Sequence, residues 1–161
     1  MAIQVGDRLP AVSLKRLTAD GIKDVAIAEL TDGKKVVLFA VPGAFTPTCS
    51  EKHLPGFLEH AAAIRAKGVD AILCVAVNDP FVMSAWAKAR SAEGRIEMLS
   101  DGNAEFARAL GLDFDGSGFG LGTRSRRYAM IVEDGTVRTL LIEDAPTQAE
   151  KSSAAAILAA L

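Results

Sequence analysis

Six consecutive apolar residues, Val36-Val-Leu-Phe-Ala-Val41, stop abruptly at Pro42-Gly43. A strand that is apolar at every position, not at alternate ones, has to be covered on both faces, so this run predicts a buried strand with helices packed on its sheet. Ala71 to Val77 is a second run of the same kind. From Lys34 onward strand-like and helix-like segments alternate through short, turn-rich joints, without an internal repeat or a low-complexity linker. The pattern is that of an α/β chain, and its 161 residues suit one domain spanning residues 1–161.

Finer features follow from spacing. A helix is expected from about Thr48 to Lys67, with Phe57, Ala61 and Ile64 along its inner face, Gly68 as its stop and a kink at Pro55-Gly56. Asn78-Asp79-Pro80 supplies a cap followed by proline at the first helical position, and Val82, Trp86 and Ala89 mark that helix's inner face. Arg95 to Leu99 reads as a short strand, and Asp101 as a cap for a helix that carries Phe106 and Leu110 and ends at Gly111. Arg126 to Val132 and Thr136 to Ile142 flank Asp134-Gly135, a hairpin signal. Thr147-Gln-Ala-Glu150 has the form of a capping box before a terminal helix. The alternating glycines 116, 118, 120 and 122 match no phosphate-binding pattern and read as a mobile loop.

Several function classes are disfavoured by composition. Lys and Arg total 18 against 20 Asp and Glu, a formal charge of −2, which lacks the basic excess of a nucleic-acid binder. No apolar run approaches the ~18 residues that cross a bilayer, and the first residues have no signal-peptide or transit-peptide pattern. A cytoplasmic location is expected. Two cysteines in a chain of this size fit a reducing compartment, where a thiol is either catalytic or simply buried.

Cys49 is the more informative of the two. It follows a buried strand, a Pro-Gly turn and Thr46, and it falls in the first turn of the expected helix. Backbone N–H groups there lack intrahelical partners and the helix dipole favours an anion, so a sulfur at this place is set up for chemistry. Cys74 sits within the apolar run Ala71-Ile-Leu-Cys-Val-Ala-Val77 and reads as a buried structural thiol.

Pro42-x-x-x-Thr46-x-x-Cys49 resembles the active-site motif of peroxiredoxins, and PGAFTPTCSEKHLPGF resembles that of their type II, or atypical two-Cys, branch. The likeness continues through GVDAILCVAVNDP, Leu99-Ser-Asp101 and Arg127-Tyr-Ala-Met130. It implies a thioredoxin-like fold with a central mixed sheet flanked by helices. It also implies reduction of hydrogen peroxide and alkyl hydroperoxides, with no metal or organic cofactor. Carried over by position, Cys49 is the peroxidatic thiol, Thr46 offers its hydroxyl, Pro42 shapes and shields the pocket, and Arg127 supplies a guanidinium. Without that likeness, Arg124, Arg126 and Arg127 would read as a solvated basic cluster.

The chain departs from many members of that branch in having no cysteine between Ile142 and Leu161. The expected cycle therefore relies on an external thiol, glutaredoxin with glutathione or thioredoxin. His53, one turn after Cys49, makes too poor a cluster for a metal and finds no evident third partner for a hydrolase triad, so it reads as a helix or pocket-rim residue. A disulfide reductase would need Cys-x-x-Cys where this chain has Thr46-Pro-Thr-Cys49. The alternative from another class is a peroxide-sensing switch or a chaperone-like binding module that uses Cys49 without sustained turnover. Phe45, Phe81 and Phe119 fall in or beside loops, as partner surface or as satellite core; the resemblance favours a homodimer with the active-site loops at its interface.

Overall fold

In the computed structural model, which describes residues 1–161, the run at Val36 lies in strand β3 (Lys35–Val41), an interior strand of a seven-stranded sheet. The other strands of that sheet are β1 (Ser13–Thr18), β2 (Gly21–Ala26), β4 (Ala71–Ala76), β5 (Glu97–Ser100), β8 (Tyr128–Glu133) and β9 (Thr136–Ile142). A separate two-stranded ribbon pairs β6 (Asp113–Asp115) with β7 (Thr123–Ser125). The main sheet runs in the order β2-β1-β5-β4-β3-β8-β9. It is mixed: β3 is parallel to β4 and antiparallel to β8.

The alternation of side chains along β3 explains why no position could be polar. Val37, Phe39 and Val41 enter one core, together with Phe57 and Ile64 of α2 (Leu54–Ala66), Trp86 of α3 (Pro80–Ala89) and Ile157 of α5 (Ala154–Ala160). Val36, Leu38 and Ala40 enter the opposite core, with Ile27 and Leu30 of α1 (Ile27–Thr31) and Phe106 and Leu110 of α4 (Glu105–Leu110). Helices thus cover both faces, as in the thioredoxin-like arrangement.

Several local expectations hold. Asp79 caps α3 by accepting from the Val82 N–H at 2.8 Å, and the Asp101 carboxylate receives the N–H groups of Phe106 and Ala107 at the start of α4. Asp134 and Gly135 both take positive φ, 48° and 78°, the conformation a two-residue hairpin between β8 and β9 requires.

Others need correction. The kink expected at Pro55-Gly56 takes the form of a π turn, Cys49–His53, directly ahead of α2, in which the Leu54 N–H reaches back to the Cys49 carbonyl. Widening the turn there accommodates a proline that cannot complete the helical ladder. The inner face of α3 is carried by Met83, Trp86 and Ala87, while Val82 is half-buried and Ala89 exposed. Thr147 starts no helix; α5 begins at Ala154, capped by the Ser153 hydroxyl accepting from Ala156 N–H at 3.1 Å. The glycine-rich segment is no plain loop either, since the Gly116 N–H donates to the Gly122 carbonyl at 2.7 Å and closes the β6–β7 ribbon.

Candidate active site

Beyond β3 the chain turns through Pro42-Gly43-Ala44-Phe45 and enters a helical segment. The Ala44 N–H is held by the Asn78 side chain at 2.9 Å, and Phe45 adopts φ 65°, a left-handed conformation uncommon for a bulky residue. Gly43 lets Arg124 approach closely: a Cβ there would lie 2.8 Å from Arg124 Nη1 and would displace the end of that side chain. That same Nη1 donates to the Pro42 carbonyl at 3.3 Å, so Arg124 braces the turn from outside. The Ser50 N–H bonds the Thr46 carbonyl at 2.9 Å, which places Cys49 in the first turn, as its position in the sequence implies. Its side chain is fully buried.

Arg127 immediately precedes β8 and is only 2% exposed, so it is no solvated edge charge. Its Nη2 donates to Cys49 Sγ at 3.0 Å, and its Nη1 meets His53 Nδ1 at 2.9 Å. Nε and Nη2 also donate to the Pro146 carbonyl, at 3.1 and 2.9 Å. A planar fork is fixed from three directions with one donor left on the sulfur, a charge-assisted bond of the kind a thiolate accepts.

His53, read from sequence as a rim residue, is 2% exposed and belongs to the site. It packs beside Phe39 and Phe57, with ring centroids 5.0 and 5.5 Å away. Arg127 can only donate, so Nδ1 is the acceptor; Nε2, 2.9 Å from the Ser152 carbonyl, carries the proton. Neither nitrogen is free to take a proton from Cys49, and a cysteine-hydrolase role for this pair is excluded on geometry. Burial first, then the neighbouring Arg127 charge, lower the His53 pKa to about 3, against the partial opposition of the Ser152 bond.

Below about pH 6.5 the unfolded chain protonates this histidine and the folded chain does not, so stability falls as pH is lowered toward 3. The loss approaches roughly 1.4 kcal/mol per pH unit well inside that window. Denaturant unfolding of the wild type and His53→Gln between about pH 6 and pH 4 should show a difference that shrinks with acid. A difference independent of pH would show that His53 is not held neutral.

A cavity of about 280 Å³ adjoins the site, its walls including Pro42, Thr46, Phe119, Leu121, Pro146 and Arg127, whose Nη2 reaches the buried sulfur; Cys49 itself does not line it. Its lining is largely carbon apart from the Arg127 guanidinium and the threonines. Pro42 is buried in the turn and forms part of the cavity wall. Thr46 Oγ1 donates to the Gly43 carbonyl at 2.6 Å, so toward the cavity it presents lone pairs. Cys74 lies on β4 opposite Phe39, fully buried, and both cysteines are free. Burial, with a further contribution from Cys49, pushes the Cys74 thiol well up.

The structure thus brings together Cys49, Thr46, Arg127 and Pro42, and adds His53, Arg124 and the Pro146 and Ser152 carbonyls. The carbonyls leave no mark in a sequence. His53 had one: the i, i+4 spacing that sets it on the Cys49 side of the turn.

Comparison with known proteins places these features in context. Residues 4–158 match the Redoxin family. The chain is 56% identical over 147 residues to Peroxiredoxin-2E-2, chloroplastic, of Oryza sativa subsp. japonica, covering 88% of this chain and 65% of that relative. It thus spans a little under two thirds of the length of that chloroplast protein. It is 49% identical over 143 residues to Peroxiredoxin-2C of the same plant, covering 88% of both chains. Reduced Prx3 of Vibrio vulnificus, solved in complex with hydrogen peroxide, superposes with a TM-score of 0.93 at 56% identity, over 98% of each chain. The chain therefore belongs to the Redoxin family and, within it, to the type II peroxiredoxins.

Proposed function

We propose that the protein is a thiol peroxidase that reduces hydrogen peroxide and alkyl hydroperoxides at Cys49 and is recycled by an external thiol. The observation that carries this reading is the 3.0 Å bond to Cys49 Sγ from Arg127, whose side chain also lines a largely apolar cavity. The Cys49 thiolate attacks one oxygen of the O–O bond. A sulfur–oxygen bond forms, and the second oxygen departs with the electron pair as hydroxide or alkoxide. Protonation turns it into water or an alcohol, while the sulfur is left as sulfenic acid. Arg127 stabilises the charge on the departing oxygen. Thr46, with its proton on Gly43, accepts a hydrogen bond from the hydroperoxide O–H and orients it. Carbon-rich walls leave room for an alkyl substituent. No metal or organic cofactor enters these steps.

In the second half, an external thiol condenses with the sulfenic acid and releases water, giving a mixed disulfide that a further thiol opens. Glutathione with glutaredoxin, or thioredoxin, fits this role. Cys74 is a poor resolving thiol because burial disfavours its thiolate, the form that attacks. Steady-state peroxide consumption with each reductant tests the reading, and Cys74→Ser should retain most of the wild-type turnover. Loss of turnover in Cys74→Ser, with a Cys49–Cys74 bridge in the wild type, would make Cys74 the resolving residue. Thiol oxidation by peroxide without sustained turnover under any reductant would instead favour a sensor or binding module.

Two further expectations belong to this proposal. Phe45, in the turn before Cys49, and Phe119, in the cavity wall, are 53% and 80% exposed, which supports a homodimer through loops near the site; Phe81, 59% exposed, lies at the start of α3. Sedimentation of the reduced protein at micromolar concentration tests it, a monomer mass counting against it. The free thiols support a reducing compartment such as the cytoplasm. No helix is long and apolar enough to cross a membrane.

A further inference from the structure

Glu143 is 3% exposed, yet its carboxylate pairs with no cation within 4 Å. Burying an anion in this way is unfavourable unless other groups satisfy it. Here Ser152 does so twice: its backbone N–H and its hydroxyl both donate to Glu143 Oε2, at 2.5 and 2.6 Å. The Ser152 carbonyl and hydroxyl oxygen in turn face His53 Nε2, at 2.9 and 3.3 Å. The Glu143 N–H donates to the Arg127 carbonyl at 3.0 Å, so its backbone is tied directly beside Arg127. A continuous chain of polar contacts therefore runs from Glu143 through Ser152 and His53 to Arg127 and Cys49 Sγ.

We propose that Glu143 is a positioning residue for Arg127: by taking both Ser152 protons it leaves Ser152 only acceptors toward His53, and so fixes His53 in the tautomer whose Nδ1 lone pair pins the guanidinium against Cys49. The proposal rests on the roles given above to Cys49 and Arg127.

The available protons decide the tautomer. A His53 ring protonated on Nδ1 would set an N–H against the Arg127 N–H and a bare Nε2 against the Ser152 carbonyl, two repulsive contacts. The Ser152 hydroxyl could relieve the second contact by turning its proton toward Nε2. Glu143 removes that option, because it takes the hydroxyl proton itself. It also anchors the Ser152 N–H, which fixes the peptide whose carbonyl receives Nε2–H. With both acceptors of Ser152 aimed at Nε2, only one neutral ring satisfies its surroundings, and Arg127 gains a fixed third support beside the Pro146 carbonyl and the sulfur.

The measurement is the pair of ring 15N shifts of His53 in the reduced protein, read with the second-order rate constant for Cys49 oxidation by hydrogen peroxide. The wild type should show a protonated Nε2 and a bare Nδ1. Glu143→Leu, which fills the space without an acceptor, should show averaged shifts and oxidise roughly tenfold more slowly, the lower end of what outer partners of active-site groups contribute. Glu143→Gln keeps an acceptor for Ser152 and should retain the single tautomer with most of the rate. Ser152→Ala removes the competing hydroxyl proton and keeps the carbonyl, so its tautomer should also stay single.

A wild-type ring protonated on Nδ1 would overturn the proposal at once, before any variant is made. So would a mixture of tautomers in Ser152→Ala, or Glu143→Leu with wild-type shifts and rate. The tautomer is read without turnover, so it stands or falls separately from the peroxidase reading, which fails if Cys49→Ser remains active.

Discussion

Cys49→Ser should abolish hydroperoxide turnover while the chain folds as before. The serine hydroxyl would occupy the same buried place and could still accept from Arg127 Nη2, which now donates to the sulfur at 3.0 Å. What it lacks is nucleophilicity, since a hydroxyl is not appreciably ionised near neutral pH and no base adjoins it: both nitrogens of His53 are engaged elsewhere. Steady-state assays with each reductant, alongside thermal unfolding, check this. Residual turnover above about a hundredth of wild type, larger than trace contamination, would remove Cys49 as the nucleophile.

Arg127→Lys should slow the oxidation of Cys49 by roughly 10²- to 10³-fold, the range seen when one donor to a developing oxyanion is lost. Charge is kept, geometry is not. The guanidinium reaches Sγ, His53 Nδ1 and the Pro146 carbonyl at once, through four bonds of 2.9 to 3.1 Å. An ammonium is a point with three donors and cannot span that fork. The size of the effect separates two explanations of peroxide reactivity. For any cysteine, moving from a few per cent thiolate to complete ionisation gains only about 30-fold, and intrinsic nucleophilicity falls as acidity rises. A larger loss in Arg127→Lys therefore has to come from the departing oxygen. Stopped-flow measurement of the second-order rate constant decides it, and equal constants in the two proteins would make Arg127 a structural charge only.

What could be read from the chain divides along physical lines. Period and turn chemistry are local, so the buried run in β3, the Asp79 cap and the Asp134-Gly135 hairpin were all legible. Thr147-Gln-Ala-Glu150 has equally good local chemistry and starts no helix. Before α5 the chain passes over Arg127 and His53 and lends them the carbonyls of Pro146 and Ser152, a tertiary demand that a capping box cannot outweigh. Arg127 was legible only through family resemblance, because its own neighbourhood of basic residues points to solvent. Glu143 was silent: one of two adjacent carboxylates after a strand, beside Asp144, gives no sign that it will be buried against a serine nine residues on.

The most direct test of the central claim, that Cys49 itself reduces the hydroperoxide and carries the oxidising equivalent, is mass spectrometry. The reduced protein is treated with one equivalent of peroxide in the presence of a carbon nucleophile that traps sulfenic acid. One adduct on Cys49, with Cys74 still a free thiol, is the predicted result. An unmodified Cys49, with the oxidation found on Cys74 or on methionine, would contradict it.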